Sequence, residues 1–370
     1  MKLATFNVEN MFERAKALNG ATWAAGRPSL EAHQALNELF NKAAYGVPDK
    51  KRMLDLLKQE SLLKTDEGRM LRLRKIRGKF LNRPRSGAVT VSAAGRGDWI
   101  GWAELRTEPV EEVATENTAR VIQAVDADIL GVVQAEDRTT LRLFNEQVLP
   151  RAGAKRYAHV MLVDGNDERG IDVGMLSRTD YPIVSIRSHV DDEDGVGQIF
   201  SRDCAEYQFR LPGGGTLWVL MNHFKSKGYG SQSSSNAKRR RQAARVREIY
   251  ESHVAAGDRL VAVIGDFNDH PGGDPLRPLL AEGSTLKDVS AHAGFDDGGR
   301  PGTHGNCTAS SKIDYILLSP ELFAKVSAAG IERRGMWGGK HGTLWPHFPE
   351  VGSETDAASD HAAMWVELAV

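Results

Sequence analysis

The stretch VAVIGDFND at residues 261–269 is an apolar strand that runs into polar chemistry: VAVIG is followed by Asp266, Asn268 and Asp269. One such exit reads as an ordinary turn or cap, because Asp and Asn hydrogen-bond their own backbone. The same event recurs along the chain. Asn7 and Glu9 follow ATF, Gln134 and Glu136 follow LGVV, and Asn222 and His223 follow VLM. Asp314 sits inside KIDYILL, and Asp360 and His361 precede AAMWVEL. Together these strand ends supply carboxylate, amide and imidazole groups. Hard cations such as Mg²⁺ take carboxylate, amide and water oxygens. Phosphoryl transfer needs such a cation, donors around the phosphate and an oriented water.

Working outward, KLATFNV, DILGVV, YAHVMLV, IDVGMLS, EYQFRL, LWVLMN, LVAVIG, KIDYILLS and AAMWVEL read as strands separated by Gly, Pro and Asp turns. EEVATENTARVIQAV, LRLFNEQVL and SNAKRRRQAARVREIYESHV read as helices, the last with Ala243, Val246 and Ile249 facing inward. Many strands with few intervening helices predict an α/β fold of two packed sheets flanked by helices, not a doubly wound parallel sheet. Residues 13–100 differ in character. SLEAHQALNELFNKAAY predicts a helix with Leu30, Ala35, Leu36, Leu39 and Phe40 on one face and Ser29 in its N-cap region. DKKRMLDLLKQESLLKT predicts a second helix carrying Met53, Leu54, Leu57 and Leu62. GRMLRLRKIRGKFLNRPR is densely basic, and SGAVTVSAAGRGDW closes the region as a strand or loop.

The chain's 370 residues allow one large domain with insertions or two smaller ones. A net charge of -1 gives no overall pull on polyanions, so such a partner would need a local basic patch. Cys204 and Cys307 share no metal or disulfide spacing and read as free thiols. No GxSxG, HExxH or P-loop motif is present, and neither cysteine sits in a nucleophile context, which argues against serine, cysteine and zinc hydrolases and P-loop nucleotide hydrolases. No apolar run approaches the ~20 residues of a membrane span, and MKLATFNVENMF lacks the apolar segment of a secretory signal. The chain reads as cytoplasmic, or as secreted with its signal already absent.

ATFNVENMF (4–12), DILGVVQAED (128–137), RGIDVGMLSR (169–178), MNHFKSKGYG (221–230), VIGDFND (263–269), SKIDYILLSP (311–320) and SDHAAMWVEL (359–368) follow one another in a recognisable order. In these pieces the chain resembles the endonuclease/exonuclease/phosphatase superfamily, the fold of DNase I-like nucleases. The resemblance spans most of the chain, and GDFND, IDYIL and SDH together are its most specific part. It implies a four-layer α/β sandwich of two packed, mainly antiparallel sheets flanked by helices. It also implies a single domain over 1–370, with residues of about 13–100 as a helical, basic insertion. Asn7 is then expected to orient the metal or phosphate. Asn222 and His223 contact the scissile phosphate, and His223 protonates the leaving group. Asp266 orients or deprotonates the attacking water, and Asn268 hydrogen-bonds the phosphate. Asp360 stands on the metal side, and His361 stabilises the developing charge, oriented by Asp314. Mg²⁺ is the implied cofactor, with Mn²⁺ or Ca²⁺ as alternatives. Arg169 is placed to clamp a phosphate and Asp172 to partner His223, although RGID also reads as a turn and strand start. Lys225 and Lys227 face a phosphate backbone or, equally, water.

One position departs from the family pattern. The family reads approximately LQEVEN where this chain has VVQAED, so Gln134 takes the place of the metal-binding glutamate and Glu136 that of the second acid. If the strand stays extended, residues i and i+2 share a face, which puts Glu136 roughly 6–7 Å further along the same edge. Gln134 then marks a replaced glutamate, a natural glutamine with Glu136 or another acid taking over, or an attenuated enzyme. Nucleic acid is the expected substrate: the basic segment at 69–85 and the helix with Lys238, Arg239, Arg240, Arg241, Arg245 and Arg247 offer a backbone-binding surface. A phosphatase or phosphodiesterase acting on a small molecule or lipid headgroup is the alternative, and a protein that binds phosphorylated ligands without turnover is a third reading. Trp337 and Trp345 are placed either to line a substrate loop or to pack internally. No protein partner is expected.

Overall fold

Strand β1 (Lys2–Met11) opens the computed structural model, which describes residues 1–18, 23–109, 112–228, 230–281 and 283–370. After it the chain departs into an inserted unit, Glu13–Val110, then returns to complete the larger unit, Met1–Phe12 with Glu111–Val370.

The inserted unit holds helices α1 (Trp23–Phe40) and α2 (Val47–Gln59) and a ribbon of β2 (Leu71–Gly78) with β3 (Trp99–Leu105). It has its own apolar core, built on Leu36, Phe40, Met53, Leu57, Leu71, Phe80 and Trp99. Phe80 stacks on Trp99 with ring centroids 4.4 Å apart, and Phe40 meets both rings edge-on. α1 begins earlier than the sequence suggested, so Ser29 lies in its second turn instead of capping it. Its hydroxyl donates instead to the Glu60 carboxylate at 3.0 Å. α2 stops at Gln59 because Ser61 turns left-handed (φ 62°), which leaves Leu62 beyond the helix yet fully buried.

The larger unit continues with α3 (Val113–Val125), β4 (Ile129–Ala135), β5 (His159–Val163), β6 (Asp172–Ser177), β7 (Ile183–Arg187), β8 (Cys204–Arg210) and β9 (Thr216–His223). Then come α4 (Gln232–Ala256), β10 (Val261–Asp266), the short β11 (Lys287–Asp288) and β12 (Phe295–Asp296), β13 (Asp314–Leu318), β14 (Val326–Glu332) and β15 (Ala363–Leu368). They form two sheets, ordered β12-β14-β15-β1-β4-β6-β5 and β7-β8-β9-β10-β13-β11. Most neighbours are antiparallel; β1 with β4, β9 with β10, and β12 with β14 are parallel.

Period-two alternation builds the layers. Leu3, Val133, Val219, Ile264 and Ile316 point into the space between the sheets. Their neighbours point outward: Ala4 and Val132 meet Val121, Ile122 and Val125 of α3, while Leu220, Val263 and Leu317 meet Ala243, Val246, Ile249 and Tyr250 of α4. Helix, sheet, sheet and helix make a four-layer sandwich, and each fully buried aliphatic side chain contributes about 1.5–3 kcal/mol. The sheets approach closely enough at Gly131 that an added Cβ would lie 2.6 Å from Met221 Sδ.

Candidate active site

Strand register does most of the assembly. His223, Asp266 and Asp314 lie side by side across β9, β10 and β13. Their chain neighbours Phe224, Phe267 and Tyr315 stack behind them, with centroids 4.8 and 4.9 Å apart. Gly265 makes the row possible: its φ is 126°, and a Cβ there would sit 2.0 Å from the Asn222 carbonyl oxygen. From the other sheet, β1 delivers Asn7, and the segment before β15 delivers His361. Ser359 ties the two together, its hydroxyl donating to the Asn7 carbonyl at 2.8 Å and accepting the His361 N–H at 2.9 Å.

Asp266 is the centre of the constellation and is buried. Asn268 donates to both its oxygens, through the backbone N–H to Oδ1 at 2.8 Å and through Nδ2 to Oδ2 at 3.1 Å. The Asn7 amide donates to Oδ2 at 3.2 Å. His223 and His361 present Nε2 at 3.8 and 4.0 Å from the same oxygen. Burial and the neighbouring Asp314 charge push the Asp266 carboxyl up to about 6, against the pull of His361 and the two amides. Burial disfavours a charged His361, but Asp314, bonded to Nδ1 at 2.9 Å, outweighs it with help from Asp266 and Asp360, and the imidazole is pushed up to about 10. His223 goes the other way: burial, reinforced by Arg202 and His361, holds it well below its ordinary value and neutral. Two histidines on one carboxylate are thus held in opposite charge states.

Beside this row stand Glu9, Asp360 and His304. The Asp360 N–H donates to Glu9 Oε2 at 2.9 Å, and His304 Nε2 lies 3.1 Å from Asp360 Oδ2. Burial and the Asp360 charge raise the Glu9 carboxyl. Burial also opposes ionisation of Asp360, but His304 and His361 override it and lower its value. Among the described residues two groups have ligand atoms close enough to share a metal ion: His304 with Asp360 and His361, and Asp266 with Asp314 and His361. Carboxylate oxygens at Glu9 and Asp360 suit a hard divalent cation.

The expected residues fall into those the fold brings together and those it does not. Asn7, His223, Asp266, Asn268, Asp314, Asp360 and His361 converge. Asn222 donates its amide to the Leu220 carbonyl at 3.0 Å and leaves Oδ1 buried without a hydrogen-bond partner among the described residues. Gln134 and Glu136 do not share a strand face as the extended geometry required. β6 pairs Val173 with Val133 and Asp172 with Ala135, so Gln134 is bulged out, at φ 70°. Glu136 lies against the turn at Gly170, where an added Cβ would be 3.4 Å from its Cγ. Asp172 accepts the Gly165 N–H at 3.0 Å, and burial and Asp164 push it up to about 7. Arg169 forks onto Asp167 with two 2.8 Å bonds. Lys225 is half-buried and its N–H donates to Gln242. Lys227 pairs with Asp269 at 3.2 Å.

Arg240 is exposed on α4 and donates to the Asp274 carbonyl at 3.2 Å. Its neighbours are tied down as well: Lys238 to the Gln198 carbonyl, Arg239 to Asp269, Arg241 to Asp194, Arg245 to Asp192 and Arg247 to Glu251. The expected backbone-binding face on this helix is therefore built into the fold, because acidic loops far away in sequence reach it. Trp345 is buried and donates to the Met336 carbonyl at 3.3 Å. Trp337 stacks on His347 at 5.3 Å and lines a cavity of about 330 Å³ with Glu9, Gly339, Lys340, Glu354 and Asp360.

Three residues outside the expected set belong to this region. Glu9 was visible as a polar residue at a strand exit. His304 sits in a loop, GTHGNC, with no periodic signal. Arg202 is fully buried; it donates to the Phe224 carbonyl at 3.1 Å, pairs with Asp167 at 3.0 Å, and keeps Nε without a partner among the described residues.

Fold and site together define a metal-capable phosphoester hydrolase class. The profile of the Endonuclease/Exonuclease/phosphatase family matches residues 111–361, and the chain belongs to that family. Similar solved structures include an endonuclease/exonuclease/phosphatase family protein from Bacteroides thetaiotaomicron, 20% identical over 69% of this chain and 88% of that one, with a TM-score of 0.49. A mannosyl-6-phosphatase from the same bacterium is 18% identical over 70% and 91%, with a TM-score of 0.50. The human Nocturnin catalytic domain with bound sulfate is 15% identical over 68% and 85%, with a TM-score of 0.47. At these identities the likeness is one of fold. No curated protein matches the chain. Among the described residues no helix is long and apolar enough to cross a membrane.

Proposed function

We propose that the chain is a Mg²⁺-dependent phosphodiesterase that cleaves nucleic acid by in-line attack of water. The observation that carries this reading is Asp266, whose Oδ2 takes two amide donors and faces one neutral and one cationic histidine at 3.8 and 4.0 Å. A carboxyl pushed up to about 6 is ionised at neutral pH yet basic enough to accept a proton from water. The His361 cation, braced by Asp314, neutralises charge that builds on the phosphoryl oxygens. Asn7 and Asn268 fix the orientation of Asp266. Neutral His223 completes the wall around the phosphate, and Arg202 supplies a second buried positive charge.

Glu9 and Asp360 would hold the cation, with Gln134 as an amide neighbour at the end of the strand paired with β1. Mn²⁺ and Ca²⁺ are alternatives to Mg²⁺. When bound, the ion supplies Lewis-acid stabilisation of the phosphoryl oxygens. A small phosphoester is the second reading for the substrate. The cavity beside Trp337 favours it, since about 330 Å³ admits a single ring-sized group.

The test is hydrolysis of single- and double-stranded DNA, RNA, bis-p-nitrophenyl phosphate and p-nitrophenyl phosphate, with Mg²⁺, Mn²⁺, Ca²⁺ or EDTA. Metal-dependent cleavage of diesters, lost in Asp266→Asn, is expected. Cleavage of monoesters alone overturns the nuclease reading. No cleavage of any ester would favour a protein that only binds phosphorylated ligands.

A further inference from the structure

The basic segment of the inserted unit is organised differently from that of α4. β2 and β3 pair in an antiparallel ribbon with Arg72 opposite Glu104, Arg74 opposite Trp102 and Arg77 opposite Ile100. Directly opposed residues share a face, so these six side chains form one surface. The other face carries Leu71, Leu73 and Ala103, all buried in the unit's core. A one-residue shift at Ile76 breaks the register and swings that residue out to 68% exposure. Trp102 is 41% exposed, unusual for so large an apolar ring.

Charge on this face is only partly compensated. Arg72 and Arg74 both reach Glu104, which leaves one positive charge in excess. Arg77 is exposed, and its side chain makes no ion pair or hydrogen bond among the described residues. On α4, by contrast, the cations are engaged by carboxylates or carbonyls.

We propose that the outer face of this ribbon is a docking surface for a single nucleic-acid strand, with Trp102 stacking a base and Arg74 and Arg77 meeting phosphates. The inference rests on the phosphodiesterase reading for its choice of polyanion. A flat ring flanked by uncompensated cations matches a strand that offers π-faces and phosphates in alternation. The surface lies outside the 111–361 span that the family profile matches, so it adds affinity without belonging to the hydrolytic machinery.

The experiment uses the full chain in EDTA, so that nothing is cleaved, with labelled oligothymidine, oligouridine and duplex DNA, and measures anisotropy across a salt series. Arg74→Ala with Arg77→Ala lowers the slope of log affinity against log salt by roughly 1.4, at about 0.7 per lost phosphate contact. Trp102→Ala weakens single-strand binding roughly 5- to 100-fold at fixed salt, with Trp102→Phe recovering most of it. Lys51→Ala with Arg52→Ala, a matched loss of two exposed cations on α2, leaves the slope unchanged. Phosphatidylserine vesicles form the competing arm: binding to vesicles and not to oligonucleotides overturns the proposal, as does an unchanged slope together with unchanged affinity in Trp102→Ala. Hydrolysis of bis-p-nitrophenyl phosphate by the same variants separates the two claims. If that ester is cleaved while the ribbon variants bind normally, the surface is wrong and the enzyme reading stands. If no diester is cleaved but the variants lose binding, the reverse holds.

Discussion

Replacing Asp314 by Asn tests the electrostatics of the site, because one carboxylate acts on two groups. Asp314 is the largest influence raising His361, and its charge also raises Asp266. Asn keeps the size and a hydrogen-bond acceptor for Nδ1 but removes the charge. His361 stands at about 10 against 6.5 for an unperturbed histidine, a displacement of roughly 5 kcal/mol at about 1.4 kcal/mol per pH unit. A unit charge at about 4 Å and an effective dielectric near 20 contributes about 4 kcal/mol. Asp314 therefore accounts for most of the displacement, and its loss brings His361 down towards 7.

The profile of kcat/KM against pH should then move as a whole. In the parent chain the acid limb reports ionisation of Asp266 near 6 and the alkaline limb loss of the His361 proton near 10. In Asp314→Asn both limbs shift to lower pH, the alkaline one by roughly 2–3 units. The rate deficit is consequently small below pH 6 and grows to about 10- to 10²-fold by pH 9. The assay is hydrolysis of bis-p-nitrophenyl phosphate at saturating Mg²⁺, with thermal melts confirming that the variant is folded. A uniform drop at every pH, with both limbs in place, would show that Asp314 merely positions the ring and would refute the electrostatic reasoning.

Two further outcomes follow from other parts of the larger unit. Glu206 is fully buried and is held from both sides by His189 Nε2, at 2.6 Å, and His253 Nε2, while Asp192 and Asp258 bond the far ring nitrogens at 2.9 and 2.7 Å. Burial opposes its ionisation, but the two imidazoles and Arg187 pull it from 4.5 to about 2, roughly 3 kcal/mol of stability present above pH 4.5 and lost as pH falls through 2. The two histidines are raised above 6.5, so their contribution is complete below 6.5 and fades as pH rises through their folded values. Glu206→Gln should lower Tm by several degrees at pH 6 and flatten its decline above pH 7; a melt within about a degree of the parent at pH 6 would remove the argument. Gln134→Glu adds one carboxylate at the end of β4. Calorimetric affinity for Mg²⁺ or Mn²⁺ should tighten by about tenfold and turnover should rise, whereas unchanged metal binding would mean that position 134 does not face the cation.

Much of this could be read in the sequence because strands translate residue order into geometry. GDFND, IDYIL and the pair Asn222–His223 occupy neighbouring strands in register, so three separate exits land on one edge. The same alternation sorted Val219 from Leu220 and Ile264 from Val263 into two cores. What could not be read depended on contacts between distant segments. Nothing in SRDC marks Arg202 as the buried partner of Asp167. The cations of α4 look free in sequence because Asp192, Asp194 and Asp269 reach them from separate loops. The ribbon was legible only as a basic run; its sidedness came from pairing with β3.

The failure at Gln134 and Glu136 has a more specific cause. Glu9, Gln134 and Asn268 all sit at strand exits, and all three adopt left-handed backbone, with φ of 52°, 70° and 53°. For a residue with a Cβ this stores about 1–3 kcal/mol, and a sheet tolerates it only where surrounding contacts hold it. At Asn268 the return is visible: the left-handed turn aims both its N–H and its side-chain amide at Asp266. At Glu9 it accompanies a break in register, since β1 pairs Asn7 with Val133 and next pairs Met11 with Ala135. β4 bulges at the same level. Two adjacent strands thus lose their alternation together, at the level where polar side chains must be turned from the sheet faces towards its edge. The period-two rule is reliable in the core because packing enforces it there, and it fails at these exits because the site requires directions that a regular strand does not offer.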